Sequence, residues 1–140
     1  MLEDRIDQMA TVKKVFDDGE WLTAEDINKL QIRPPRKKSF PASAWKRHGR
    51  IFSVLYNGKE YYPLYQFDPM FQPLPVVRNI LKAYGECADT WSIATWFHFP
   101  NGWITKETDS EAVSVAPKDA LDRTNDVIKA ARNLKGTYVA

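Results

Sequence analysis

The sequence predicts a mainly α-helical protein that carries one small β-hairpin. A short basic helix near residues 43–48 runs directly into two apolar-alternating stretches joined at Asn57-Gly58. Asn-Gly in that position is the strongest short-range signal of a type I′ hairpin turn, because both central residues need φ > 0. Residues 76–84, 90–98 and 124–134 carry apolar side chains at helical spacing. The predicted fold class is therefore a winged helix-turn-helix followed by a small all-helical domain.

The two-residue turn also predicts the register of the hairpin. Such a turn pairs the flanking residues in a fixed order. The expected pairs are Tyr56 with Lys59, Val54 with Tyr61, and Phe52 with Pro63. Side chains alternate between the two faces of a strand, so one face carries the apolar set and packs. The other face is expected to meet solvent or a ligand, and it carries Ser53, Leu55, Glu60 and Tyr62.

The chain divides into three predicted parts. Residues 1–20 have apolar side chains every three or four positions and form an amphipathic helix, either a dimer arm or a lid on the core. Residues 21–69 form the winged helix-turn-helix, which binds DNA. Three prolines between residues 69 and 75 mark a stiff linker. Residues 70–140 form the helical domain.

Helix ends are marked by capping residues. The segment from Trp21 to Leu30 is predicted to be a helix whose N-cap, Thr23, accepts the Asp26 N–H. Gly85 is expected to end the helix of residues 76–84, and Asp89 is expected to cap the helix that follows it. That next helix, residues 90–98, is apolar almost all round and must be central. Pro117 suits the first position of a short helix, Thr124 caps the last helix, and residues 105–116 are expected to form a polar surface loop.

Positive charge is concentrated in one segment. Between Arg33 and Arg50 there are seven Lys and Arg side chains and no acid, although the net charge is only +2. Such a density suits neutralisation of DNA phosphates, and it is also typical of a solvated protein surface. Its location on the predicted helix and hairpin favours DNA binding. Trp45 is expected to face inward and anchor the helix. The predicted DNA-binding residues are Arg36, Lys37, Lys38, Ser43, Lys46, Arg47, Arg50 and Lys59.

The sequence shows no pattern typical of an enzyme or a metal site. There is no phosphate-binding glycine loop and no nucleophile elbow, Cys87 is the single cysteine, and neither histidine, at 48 or 98, lies in a ligand motif. We expect a protein that is not an enzyme and that has no cofactor and no metal. No apolar run reaches the ~18 residues of a membrane span, so a cytoplasmic protein without membrane contact is expected.

Two sets of residues resemble a known family. The first comprises Trp21-Leu22-Thr23-Ala24-Glu25, Ala44-Trp45-Lys46-Arg47, Gly49-Arg50-Ile51-Phe52, Tyr61-Tyr62-Pro63 and Tyr65-Gln66-Phe67-Asp68. The second comprises Trp91, Ala94, Trp96-Phe97, Pro100-Asn101, Trp103-Ile104, Pro117, Asp119-Ala120-Leu121, Val127-Ile128 and Ala130-Ala131. Together they resemble the DNA-binding half and the toxin-binding domain of bacterial proteins related to the Xre/MbcA/ParS antitoxins.

The resemblance implies an antitoxin that acts as a homodimer. It would bind a cognate toxin of the RES type, a NAD-consuming or ADP-ribosylating enzyme, through its C-terminal part, and operator DNA through its N-terminal part. The expected toxin-facing residues are Trp103, Arg132, Lys135 and Tyr138. The chain departs from the family pattern in two places. Lys106 stands where the family has a turn glycine. The N-terminal part is closer to a winged or MerR-like DNA-binding domain than to the Xre type.

Two other functions remain open on the sequence. One is a stand-alone DNA-binding transcriptional regulator of phage or mobile-element origin, whose helical part serves only for dimerisation. The other is an interaction adaptor that has lost DNA contact. The basic segment 33–50 argues against the adaptor.

Overall fold

The computed structural model describes residues 2–34, 40–86 and 89–137, with side chains described for 7–34, 40–86 and 89–134. In this part of the chain the α-helices are α1 (Leu2–Asp18), α2 (Ala24–Lys29), α3 (Pro41–Arg47), α4 (Pro75–Tyr84), α5 (Thr90–His98) and α6 (Thr124–Thr137). The strands are β1 (Trp21–Leu22), β2 (Val54–Tyr56), β3 (Lys59–Pro63), β4 (Asn101–Glu107) and β5 (Ala112–Val115). Single 3-10 turns span Leu64–Gln66 and Pro117–Asp119.

Strands β1, β2 and β3 form an antiparallel sheet in the order β1-β3-β2. The hairpin of β2 and β3 pairs Tyr56 with Lys59, Leu55 with Glu60, and Val54 with Tyr61. Asn57 and Gly58 at its tip have φ angles of 50° and 78°, as a type I′ turn requires. The predicted turn is confirmed, and so are the predicted pairs of Tyr56 with Lys59 and of Val54 with Tyr61.

The predicted pairing of Phe52 with Pro63 is wrong, because the pairing of β2 with β3 ends at Val54 and Tyr61 and a side chain takes the backbone groups of Phe52 instead. β1 lies along the other edge of β3 and pairs Trp21 with Pro63. The Gln66 side chain takes both backbone groups of Phe52: its Oε1 accepts the N–H at 2.8 Å, and its Nε2 donates to the carbonyl at 3.0 Å. Trp21 and Leu22, which we expected within a helix, are therefore a strand.

The three-stranded sheet lies between two hydrophobic cores. The smaller core joins Ile27, Ala42, Ile51, Tyr62 and Phe67. The larger core joins fourteen buried residues, among them Val15, Phe52, Val54, Val77, Ile80, Phe97, Ile104 and Val127. Tyr61 packs against the larger core and Tyr62, which is 0% exposed, belongs to the smaller one. The expectation that the Tyr62 face meets solvent is wrong at this position, since helices cover both faces of β3.

This architecture corrects the predicted fold class. The chain is an α/β protein with six helices and two small antiparallel sheets in the residues described. The prediction of a mainly α winged helix-turn-helix followed by an all-helical domain is wrong. β1 extends the hairpin to a three-stranded sheet, and β4 and β5 add a second sheet in the part that was expected to be helical.

The second sheet replaces the predicted polar loop at residues 105–116. β4 and β5 pair Thr105 with Ser114, Lys106 with Val113, and Glu107 with Ala112. Residues 105–114 are all exposed, so neither strand carries the apolar alternation by which a half-buried strand is recognised. The polar composition was therefore consistent with a loop, although the backbone is paired.

Three of the predicted helix ends are confirmed, whereas Thr124, predicted to cap the last helix, is instead the first residue of α6. The Thr23 hydroxyl accepts the Asp26 N–H at 3.1 Å, and the Asp26 carboxylate accepts the Thr23 N–H at 3.0 Å, which completes a capping box. The Asp89 carboxylate accepts the Trp91 N–H at 2.9 Å at the start of α5. Gly85 ends α4 with a φ of 88°, a conformation that glycine adopts without steric cost.

Helix α5 is central, as predicted, since Ile93, Ala94 and Phe97 are buried in the larger core. The Phe97 ring stacks on Phe52 with centroids 5.7 Å apart, so this core contains residues from both sides of the predicted boundary at residue 69. The division into 21–69 and 70–140 stays a prediction. Among the described helices, none has both the length and the apolarity needed to cross a bilayer.

Candidate nucleic-acid interface

Helix α3 presents a polar and basic face to solvent. Pro41 lies at its start, where the fixed φ of proline suits the first helical turn. Ser43, Lys46 and Arg47 are exposed and lie on one side of the helix, because residues three and four apart are neighbours. Ala42 is 0% exposed and packs in the smaller core. The helix is therefore anchored on one side and free for contacts on the other.

Trp45 anchors α3, as predicted. Its ring packs against the smaller core, with a centroid 6.2 Å from that of Phe67. The Arg50 guanidinium lies 6.0 Å from the centroid of the Trp45 ring, within the range of a cation–π contact. This contact holds the charge of Arg50 close to the end of α3.

A carboxylate from the hairpin joins the basic face. Glu60 on β3 forms an ion pair with Lys46, and it also accepts hydrogen bonds from the Ser53 hydroxyl and the Tyr62 hydroxyl, each at 3.0 Å. The Lys46 and Glu60 side chains remain 45% and 38% exposed. The ion pair therefore lies at the surface, where another anion can reach it.

The hydrogen bonds around Glu60 shift two pKa values in opposite directions. Partial burial opposes ionisation of Glu60, but the hydrogen bonds from Lys46, Ser53 and Tyr62 outweigh it and lower the pKa of Glu60. Burial, and after it the hydrogen bond to Glu60, raises the pKa of Tyr62. At neutral pH Glu60 is therefore charged and Tyr62 is a neutral donor.

The remaining predicted DNA-binding residues lie on the hairpin or outside the description. Lys59 is exposed beside the hairpin tip, paired across the turn with Tyr56. It is the chain neighbour of Glu60, whose contact with Lys46 brings the hairpin next to α3. The structure thus brings together Ser43, Lys46, Arg47 and Arg50 on α3 and at its end, whereas Lys59, next to Glu60 on β3, projects from the opposite face of the hairpin. Arg36, Lys37 and Lys38 lie outside the described residues.

The predicted toxin-facing residues lie at the other end of the chain. Trp103 on β4 is 58% exposed, and Arg132 on α6 is exposed. α6 packs against β4, so these two residues belong to neighbouring elements. The Lys135 side chain and Tyr138 lie outside the described residues.

A groove between α1 and α5 was not foreseen from the sequence. It encloses about 1080 Å³, and its lining includes the aromatic residues Tyr56, Tyr84, Trp91 and Trp96. Met9 on α1 also lines it and is 72% exposed. The amphipathic stripe of residues 1–20 was the signal that could have indicated it, because the outer part of that stripe has no covering element among the described residues.

A smaller cavity of about 290 Å³ lies at the end of α1. Its lining includes Asp18 and His98, with His98 Nε2 3.3 Å from Asp18 Oδ2. A hydrogen bond from Lys14 lowers the pKa of Asp18, burial opposes that effect, and the contact with His98 adds to it. Among the described residues, no group of three His, Cys, Asp or Glu side chains is placed to hold a metal ion.

A solved structure shares this fold. The NMR structure of Rv2175c matches with a TM-score of 0.65 and 23% sequence identity, over 84% of this chain and 82% of that one. At this identity the likeness establishes the fold alone. No family model and no curated protein matches the chain.

Proposed function

We propose that this protein binds DNA through α3 and the β2–β3 hairpin, as a regulator of transcription in the cytoplasm. The observation that carries the proposal is the exposed face of α3, with Ser43 and Arg47, held beside a hairpin that displays Lys59 near its tip. A helix fits the major groove of B-DNA. Cationic side chains on the adjoining hairpin suit the flanking phosphates.

Arg47 and Lys59 are the side chains best placed to contact DNA. Both are exposed, and the ion pairs found among the described residues involve other cations. Arg47 suits either a phosphate or the O6 and N7 atoms of a guanine, and Lys59 suits a phosphate. Ser43 offers a hydroxyl on the same side of α3 as Arg47.

The test is a titration of DNA at several salt concentrations. Each lost phosphate contact reduces the slope of log K against log salt by about 0.9, equivalent to about eightfold in affinity at 0.1 M salt. The double variant R47A/K59A should therefore lose about 1.8 of slope and bind roughly 60-fold more weakly. R78A removes an exposed arginine of α4 and should bind like the unmodified chain. Equal binding by all three proteins would contradict the proposal.

A second function, that of an antitoxin, is favoured by the β4–β5 hairpin. Trp103 and Val113 are 58% and 44% exposed on it, and exposed aromatic residues of this kind are enriched at protein interfaces. The resemblance to Xre/MbcA/ParS antitoxins assigns this part of the chain to toxin binding. We propose that a toxin of the RES type docks there, and that the same protein represses its operon.

Association with the product of the neighbouring gene tests the antitoxin proposal. Co-expression should rescue growth, and W103A should weaken the purified complex at least about tenfold, as removal of an anchoring tryptophan does at other interfaces. M70A removes a different exposed side chain, 53% exposed, and should leave the complex intact. If the two proteins do not associate, the antitoxin function is excluded and the regulator stands alone.

A further inference from the structure

Among the described residues, Lys46 differs from Arg47 and Arg50 in forming an ion pair with an acid. Its Nζ contacts the Glu60 carboxylate, which comes from the hairpin, since residues 33–50 contain no acid. The carboxylate is also bound from within the protein by the hydroxyls of Ser53 and Tyr62. Three donors therefore converge on one carboxylate at the edge of the proposed DNA-binding face.

The two inner donors fix the position of the carboxylate. Ser53 is 8% exposed and Tyr62 is 0% exposed, so both belong to the packed interior and hold Glu60 against the sheet. Lys46 reaches Glu60 from the end of α3 with a long and flexible stem. Because the carboxylate is held and the ammonium is mobile, Lys46 is drawn towards Glu60.

Resting on the proposed DNA-binding function, we propose that Glu60 is a counter-charge that withholds Lys46 from the DNA backbone. In this role Glu60 limits the affinity and the salt dependence of DNA binding. Glu60 is a fixed anion, because Ser53 and Tyr62 hold its carboxylate, and removal of its charge frees Lys46 for a phosphate. The ion pair between Lys46 and Glu60 thereby lowers by one the number of α3 cations available to DNA phosphates.

The charge at position 60 and the lysine at position 46 can be varied independently. E60Q removes the negative charge and keeps a side chain of the same shape. Ser53 and Tyr62 donate to different oxygens of Glu60, so the amide oxygen of Gln accepts from one hydroxyl and its N–H donates to the other. One freed phosphate contact should tighten binding to a random-sequence duplex about eightfold at 0.1 M salt and steepen the salt slope by about 0.9. The double variant K46M/E60Q should bind within about twofold of the unmodified chain, because the freed lysine is then absent.

A direct contact between Lys46 and a phosphate predicts different results. E60Q would then bind like the unmodified chain, and K46M and K46M/E60Q would both lose about 0.9 of slope and about eightfold in affinity. Either of these results overturns the inference. Circular dichroism and a thermal melt of each variant establish folding. K46M alone gives a second readout should E60Q not fold: its slope should change by less than about 0.3, whereas a loss near 0.9 overturns the inference.

The same titration separates this inference from the proposed function. If R47A weakens DNA binding while E60Q has no effect, DNA binding stands and the role of Glu60 is refuted. If the unmodified chain does not bind a duplex at low salt, the proposed function fails and the role of Glu60 fails with it.

Discussion

Replacing Gln66 by Leu removes the contact that takes the place of strand pairing at Phe52. Gln66 is 0% exposed, and its amide satisfies both the N–H and the carbonyl of Phe52. Leu has a similar volume and leaves two backbone groups without partners in the interior. Each unsatisfied buried group costs about 1–3 kcal/mol, so Q66L should lower the free energy of unfolding by roughly 2–6 kcal/mol.

Urea unfolding followed by tryptophan fluorescence measures this loss. A central value of about 4 kcal/mol would lower the melting temperature by roughly 14 °C in a chain of this size, and it is a large fraction of the 5–15 kcal/mol typical of folded proteins. Q72L is the matched control, because the Gln72 amide donates to the Gln31 side chain at an exposed position. It should cost under about 1 kcal/mol. A loss below about 1 kcal/mol for Q66L would refute the reasoning.

Two further predictions concern the hairpin turn and the end of α1. G58A should lower the free energy of unfolding by about 1 kcal/mol, because Gly58 has a positive φ that alanine adopts only with strain. A Cβ added at Gly58 would meet no other atom, so this loss is due to the backbone alone. G102A, where an added Cβ is also in open space, is the control and should leave the urea midpoint unchanged. Because the pKa of Asp18 is lowered from 3.8 by Lys14 and His98, its stabilisation is present above about pH 4 and is lost as pH falls through the folded-state pKa. The difference in urea midpoint between D18N and the unmodified chain should therefore shrink between pH 7 and about pH 2.5, and a constant difference would contradict this origin.

Local signals predicted the parts of the fold that depend on residues close together in sequence. The Asn57-Gly58 turn follows from the φ angles that these two residues tolerate. The Thr23 cap follows from a hydrogen bond that spans three residues. Both features are determined before any distant contact forms, and both were predicted correctly.

The strands that were missed depend on distant partners. Trp21 and Leu22 are too few to show a period, and they are a strand only because β3, some forty residues later, pairs with them. β4 and β5 lack apolar alternation because residues 105–114 are exposed on both faces. Periodicity reports burial on one face, so it could not detect a hairpin without a buried face.

The candidate site shows the same division between local and distant information. The density of positive charge and the exposed face of α3 could be predicted from spacing within one helix. The partner of Lys46 could not, because Glu60 lies fourteen residues away on the hairpin. Whether the two meet depends on how α3 crosses the sheet, and that is determined by packing in the smaller core.

The sheet between two cores has a consequence for how the hairpin is built. Tyr61 and Tyr62 are consecutive, yet each serves a different layer of the protein. Sliding β3 by one position along its neighbours would exchange the two rings and place the wrong one in each layer. Because β3 contributes a side chain to each core, its register couples the packing of the two cores. We therefore expect both cores to unfold together in a single transition.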